Sequence, residues 1–138
     1  MKPLEVMEDS AMAVASDSDI VLARNQGRVV ALRLGFRPTD ATLIATAISE
    51  LARNIVLYAK RGEIVLGRIE RDGHQGIQVT ARDEGPGIPD VGLAMQSGYS
   101  TSGSLGLGLP GVRRLMDEFE IHTAAGQGTT VTVKKWIP

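Results

Sequence analysis

The chain has 138 residues, and its 15 lysines and arginines against 16 aspartates and glutamates leave a net charge of −1. That length suits one domain around a single core, and the even charge argues against a nucleic acid partner, whose phosphates call for a broad cationic surface. There are no cysteines, which excludes thiol catalysis and cysteine-held metals and fits a reducing, cytoplasmic setting. His74 and His122 alone cannot build a zinc site.

No stretch approaches the roughly 20 apolar residues of a membrane span, and the N-terminal "MKPLEVMEDSAMAVASDSD" carries acids where a secretory signal has an apolar centre. With no internal repeat, low-complexity tract or linker, residues 1–138 read as one domain. In chain order, a weak strand is expected near Met12 to Ala15. A helix capped by Ser18 follows, from Asp19 to about Leu34, stopped by Gly35. A second helix is expected from Thr39 or Asp40 to about Lys60, closed by Gly62. Its apolar positions Ile44, Ile48, Leu51, Ile55 and Tyr58 recur at three- and four-residue spacings, the stripe of a core-facing helix. A hairpin then runs from Ile64 to Ile69, through a turn at Asp72-Gly73, to Ile77 to Ala81. After a glycine-rich segment, "PGVRRLMDEF" reads as a third helix, and "FEIHTAAGQGTTVTVKKWI" as a second hairpin turning at Gly126 to Gly128. Adjacent hairpins between helices favour an antiparallel or mixed sheet with helices packed on one face, an α+β two-layer sandwich.

Glu50 and Asn54 on the second helix are four residues apart, so they stack on one face at the edge of the apolar stripe. Taken alone, that pair reads as an ordinary helix flank, with Glu50 free to pair an arginine. Asp83 ends a strand and opens "DEGPGIPD", where glycine and proline enforce a sharp loop. Alone, this too is a plain turn. Gly106, Gly108 and Gly111 match the dinucleotide pattern G-x-G-x-x-G letter for letter. Yet "GYSTSGSL" precedes them instead of an apolar strand, and no strand ending in an acid follows about 20 residues on. The companions of a protein-kinase glycine loop are also missing. What remains is that glycine-freed amides at a helix start make a place for phosphate oxygens. Eight of the 16 glycines fall between Gly85 and Gly111.

The order of these motifs carries more than any one of them. "AISELARNIVLYA" on a helix, "DEGPGIPD" after a strand, "GYSTSGSLGLGLPGVRRLMDEF" opening a helix and "GTTVTVKKW" on a late hairpin resemble the N box and the three glycine boxes of the GHKL ATPase superfamily. Histidine kinases, the gyrase B subunit and MutL are among its members. The resemblance spans about Ser18 to Trp136 and is greatest to the stand-alone serine/threonine kinases of bacterial stress and sporulation switches. It implies a Bergerat fold, with a mixed, mostly antiparallel sheet and helices on one face, and it implies ATP and Mg²⁺ as cofactors.

The same resemblance implies roles for single residues. Asn54 would hold Mg²⁺ through its amide oxygen, and Glu50 would orient and deprotonate the acceptor hydroxyl. Asp83 would accept from the adenine amino group, with Thr130 of "GTT" supporting it. Gly85 and Gly87 would let the loop pass against the base. Gly106 and Gly108 would offer amides to the phosphates, and residues Val91 to Leu105 would form the lid. Arg53 is expected on the exposed side of its helix, as a partner or substrate contact. The implied partners are STAS-domain scaffold and antagonist proteins of a stressosome, and beyond them a downstream phosphatase or other effector. Two rival readings stay open: an ATP-gated binding module without catalysis, and the catalytic domain of a histidine kinase. The second lacks a dimerising phosphoacceptor helix in this chain.

Overall fold

The computed structural model describes the backbone of residues 5–88, 95 and 108–138. Five strands, β1 (Glu5–Val14), β2 (Gly62–Arg71), β3 (His74–Asp83), β4 (Glu118–Ala124) and β5 (Gly128–Trp136), form one sheet in the order β1-β2-β3-β5-β4. Every neighbouring pair in it is antiparallel. The sequence left room for a mixed sheet; among the described residues no pair is parallel, in the two hairpins β2–β3 and β4–β5 or in the non-hairpin pairs β1–β2 and β3–β5. β1 is far longer than the short strand expected at Met12 to Ala15, because it pairs along the whole of β2, with an irregularity between Val6 and Glu8.

The first helix, α1, spans Asp17–Leu34 and is capped by Ser16, not by Ser18. The Ser16 hydroxyl accepts from the Asp19 backbone N–H, and Asp19 reaches back to accept from the Ala15 N–H at 2.9 Å, a reciprocal capping arrangement. The Ser18 hydroxyl only pairs with that of Ser16. Gly35, at φ 108°, ends the helix in the left-handed conformation expected of it.

The second helix, α2, starts at Pro38, where a missing N–H costs nothing, and runs to Asn54. Its buried Ile44, Ile48 and Leu51, with Ile55 just beyond, pack against Ile64 and Leu66 of β2, Ile77 and Val79 of β3, and Val131 and Val133 of β5. From Ile55 to Ala59 the chain makes a π-turn, and Lys60 ends it at φ 71°. Gly62 is therefore not a helix stop. It opens β2, and a Cβ there would run into the Arg82 carbonyl oxygen and lie 2.9 Å from Ile55 Cγ2. The wider π-turn also breaks the 3.6-residue phase of the stripe, and Tyr58, expected within it, is exposed.

Asp72 (φ 52°) and Gly73 (φ 81°) form the two-residue turn that joins β2 to β3, with Arg71 paired to His74. The third helix, α3, spans Gly108–Leu115 and buries Leu109 and Val112. It stops short of the predicted Phe119. The Asp117 N–H bonds to the Lys134 carbonyl at 2.9 Å, and Glu118 to Ala124 join the sheet edge. All three helices thus lie over the sheet face built by Ile64, Leu66, Ile77, Val79, Val131 and Val133. Among the described residues no helix is long and apolar enough to cross a membrane.

Candidate active site

Three segments converge at the C-terminal end of α2. The first is α2 itself, whose apolar stripe seats it on the sheet and so turns Glu50 toward the start of α3. Glu50 is only 6% exposed, and a carboxylate that buried needs partners. It has two. Its Oε1 accepts from Arg53 Nη1 at 3.2 Å, and its Oε2 accepts from the Gly108 backbone N–H at 3.2 Å. The second bond crosses 58 residues of chain and places the glycine box directly on the helix that carries the N box. Asn54, half-buried, lies one helical turn further on, at the junction with the π-turn.

The second segment is the loop after β3. Asp83 Oδ1 accepts from the Gly85 N–H at 2.9 Å, an Asx turn that occupies one carboxylate oxygen and leaves Oδ2 as the second acceptor. Gly85 presses against the π-turn: a Cβ there would stand 2.6 Å from Ala59 Cβ and 2.9 Å from Ala59 Cα. Gly87, at φ 79°, is closed in by the Ala124 carbonyl. The loop is also fastened to the β4–β5 turn. The Ile88 N–H donates to Thr123 Oγ1 at 2.9 Å, and the Gly126 N–H to the Pro86 carbonyl at 2.8 Å.

The third segment is the start of α3. Gly108 sits there at φ 65°, a backbone setting that glycine adopts without strain. Gly106 and the expected lid from Val91 to Leu105, apart from Met95, lie outside the described residues.

One sequence expectation needs correction. Thr130 does not stand beside Asp83. The register pairs Asp83 with Thr129, while Thr130 pairs with Arg82 and His122. Neighbouring strand residues point to opposite faces, so Thr129 shares the helix-covered face with Asp83 and Thr130 lies on the other. Thr129 Oγ1 bonds to Thr123 Oγ1 at 2.9 Å, and these two hydroxyls support the floor of the loop. Arg53, expected as an exposed partner contact, pairs along its own helix with Glu50 while its side chain stays 39% exposed. Its i, i+3 spacing from Glu50 was the available signal. Nothing in the sequence singled out Thr123 or Ala59; both act through partners 35 and 26 residues away.

The donor set fits a nucleoside triphosphate with a hard cation. Among the described residues no cluster of three or more His, Cys, Asp or Glu could hold a metal by itself. A single amide oxygen at Asn54 is what Mg²⁺ asks of a protein when phosphates and waters complete its octahedron. The amide of Gly108 already faces an anion, the Glu50 carboxylate, as a phosphate-binding amide must.

Comparison with known proteins gives the family. Residues 39–138 match the family described as "Histidine kinase-, DNA gyrase B-, and HSP90-like ATPase". The serine/threonine-protein kinase RsbT of Bacillus subtilis is 50% identical over 130 residues, covering 94% of this chain and 98% of that protein. The anti-sigma F factor of Geobacillus kaustophilus is 33% identical over 105 residues, covering 71% of this chain and 70% of that one. Among solved structures, the RsbU and RsbW domains of a Mycobacterium tuberculosis protein superpose with a TM-score of 0.61 at 24% identity, covering 96% of this chain and 33% of that longer one. The SiaB–SiaC complex of Pseudomonas aeruginosa gives 0.56 at 16% identity, with 96% and 91% covered. The last two speak for the fold alone. The chain belongs to the histidine kinase-, gyrase B- and HSP90-like ATPase family, in the branch that holds serine/threonine-protein kinases and anti-sigma factors.

Proposed function

We propose that the chain is a Mg²⁺-dependent protein kinase that transfers the γ-phosphate of ATP to a serine or threonine of a STAS-domain scaffold or antagonist protein of a stressosome, and that it acts as a partner switch. The observation that supports this most is the bond from the Gly108 amide to buried Glu50. It brings the carboxylate suited to a base within one hydrogen bond of the amide suited to a phosphate. The kinship with a serine/threonine-protein kinase over 94% of the chain points the same way.

When bound, ATP supplies the phosphoryl group and Mg²⁺ offsets its charge. In this reading Asp83 Oδ2 accepts from the adenine amino group, which guanine replaces with a carbonyl. Oδ1 meanwhile keeps the loop in shape through Gly85. Thr129, not Thr130, backs Asp83. Asn54 presents its amide oxygen to the cation. Gly108, with Gly106 before it, turns its amide to phosphate oxygen, and that releases Glu50 Oε2. The freed oxygen then takes the proton of the attacking hydroxyl as the new P–O bond forms and ADP departs. Arg53 stays on Oε1 and holds the carboxylate in its rotamer. Phosphorylation of the STAS partner would release the kinase to a downstream phosphatase or other effector.

The test is to mix the protein with ATP, Mg²⁺ and purified STAS-domain protein and to map modified residues by mass spectrometry. A phosphoserine or phosphothreonine on the partner is expected. A tight ATP-dependent complex without phosphate on the partner would leave only the binding-module reading.

A further inference from the structure

α1 is apolar on two opposite sides, and the fold uses one of them. Ala23, Gly27 and Ala31 are buried against α2, so closely that a Cβ on Gly27 would run into Ile48 Cδ1. On the other side Val21, Leu22, Val29 and Leu32 are 44%, 63%, 40% and 37% exposed. At about 100° per residue the centres of these two groups lie about half a turn apart. Exposed apolar residues scattered singly are ordinary, but four on one side of one helix, two before and two after the exposed Asn25 at the middle of that side, are the mark of a surface with a partner. A helix that only had to cover this sheet would be polar there.

The flanks of the stripe say what kind of partner. Arg24 and Arg28 border it on one side and Arg33 on the other; all three are exposed, and between Ile20 and Leu34 the helix has no acid. Among the described residues none of the three forms an ion pair. A second copy of the chain is a poor fit. An antiparallel two-fold pairing of these faces sets Arg24 of one copy against Arg28 of the other, and a parallel one sets Arg24 and Arg28 against the side that carries Arg33, so arginines meet arginines either way. A lipid surface also fits poorly, because the stripe has no aromatic residue to anchor at the interface and the helix opens with Asp17 and Asp19. We propose that this face docks an amphipathic helix of another protein, with an apolar seam flanked by aspartates and glutamates. The inference is independent of the phosphotransfer reading, since α1 carries none of the nucleotide-site residues.

The test uses the full chain and two synthetic peptides of about three heptads, with leucine at the a and d positions and either glutamate or lysine at e and g. Binding is read by fluorescence anisotropy, with circular dichroism to confirm that each variant folds. The glutamate peptide should bind and the lysine peptide should not. Leu22→Asp should weaken the glutamate peptide about tenfold or more. The double variant Arg24→Glu/Arg28→Glu should reverse the preference, a gain that loss of folding cannot imitate. Equal binding of both peptides, or indifference to Leu22→Asp, would overturn the proposal. So would dimerisation of the chain that Leu22→Asp abolishes in sedimentation, or adsorption to phosphatidylcholine–phosphatidylglycerol vesicles that the same change prevents.

Discussion

Asp83→Asn separates the two jobs assigned to one carboxylate. Oδ1 accepts from the Gly85 N–H at 2.9 Å and shapes the loop; Oδ2 is the acceptor left for the adenine amino group. Asparagine keeps the first through its carbonyl oxygen and replaces the second with an NH₂ donor that faces another donor. Leaving such groups unpaired costs about 1–3 kcal/mol when fully buried. Asp83 is half-buried, so about 1–2 kcal/mol is expected, or roughly 5- to 30-fold in ATP affinity. Asp83→Ala loses both bonds and should also loosen the loop, lowering stability by about 1 kcal/mol. Calorimetric titration with ATP and Mg²⁺, alongside urea denaturation of the same samples, reads both effects. The reasoning is refuted if Asp83→Asn binds ATP as the wild type does, or if its weaker binding comes with an equal loss of stability.

Other perturbations probe the same geometry. Glu50→Ala should keep ATP and Mg²⁺ binding while lowering phosphotransfer about 10²–10⁴-fold, the usual share of a general base; steady-state kinetics would show it as a loss in kcat. Asn54→Ala should instead weaken nucleotide binding only when Mg²⁺ is present, seen by titration with and without chelator. Gly85→Ala places a methyl 2.6 Å from Ala59 Cβ and should destabilise the fold by about 1–3 kcal/mol in urea melts. A Cβ at Gly73 meets nothing within 4 Å, so Gly73→Ala should cost only about 1 kcal/mol of backbone strain.

Features set by nearby residues were legible in the sequence. The Asp72-Gly73 turn, the Gly35 stop and the Ile44–Ile48–Leu51–Ile55 stripe all appear where they are expected. Each is fixed by chemistry within about one turn of chain. The differences arise where distant segments decide. α3 ends early because Asp117 finds Lys134 across the sheet. The π-turn after Asn54 has no clear local signal; its Ala59 is matched by Gly85 from another loop. Thr130 stands one residue away from the position that faces Asp83, which in a strand is enough to change faces. The motifs point to Glu50, Asn54, Asp83 and Gly108 as one site, but only the fold shows that Glu50 is bonded to both Arg53 and Gly108.

That double engagement makes the proposed catalytic reading open to a direct check, because a carboxylate serving as a base suits a hydroxyl acceptor and not an imidazole. The decisive measurement is single-turnover transfer from γ-labelled ATP to a STAS-domain partner, comparing the wild type with Glu50→Ala at saturating ATP and treating the products with acid. The account predicts acid-stable label on a serine or threonine of the partner, slowed at least about 10²-fold in the variant, with none on His74 or His122. Acid-labile label on the protein itself, or transfer indifferent to Glu50→Ala, would contradict it.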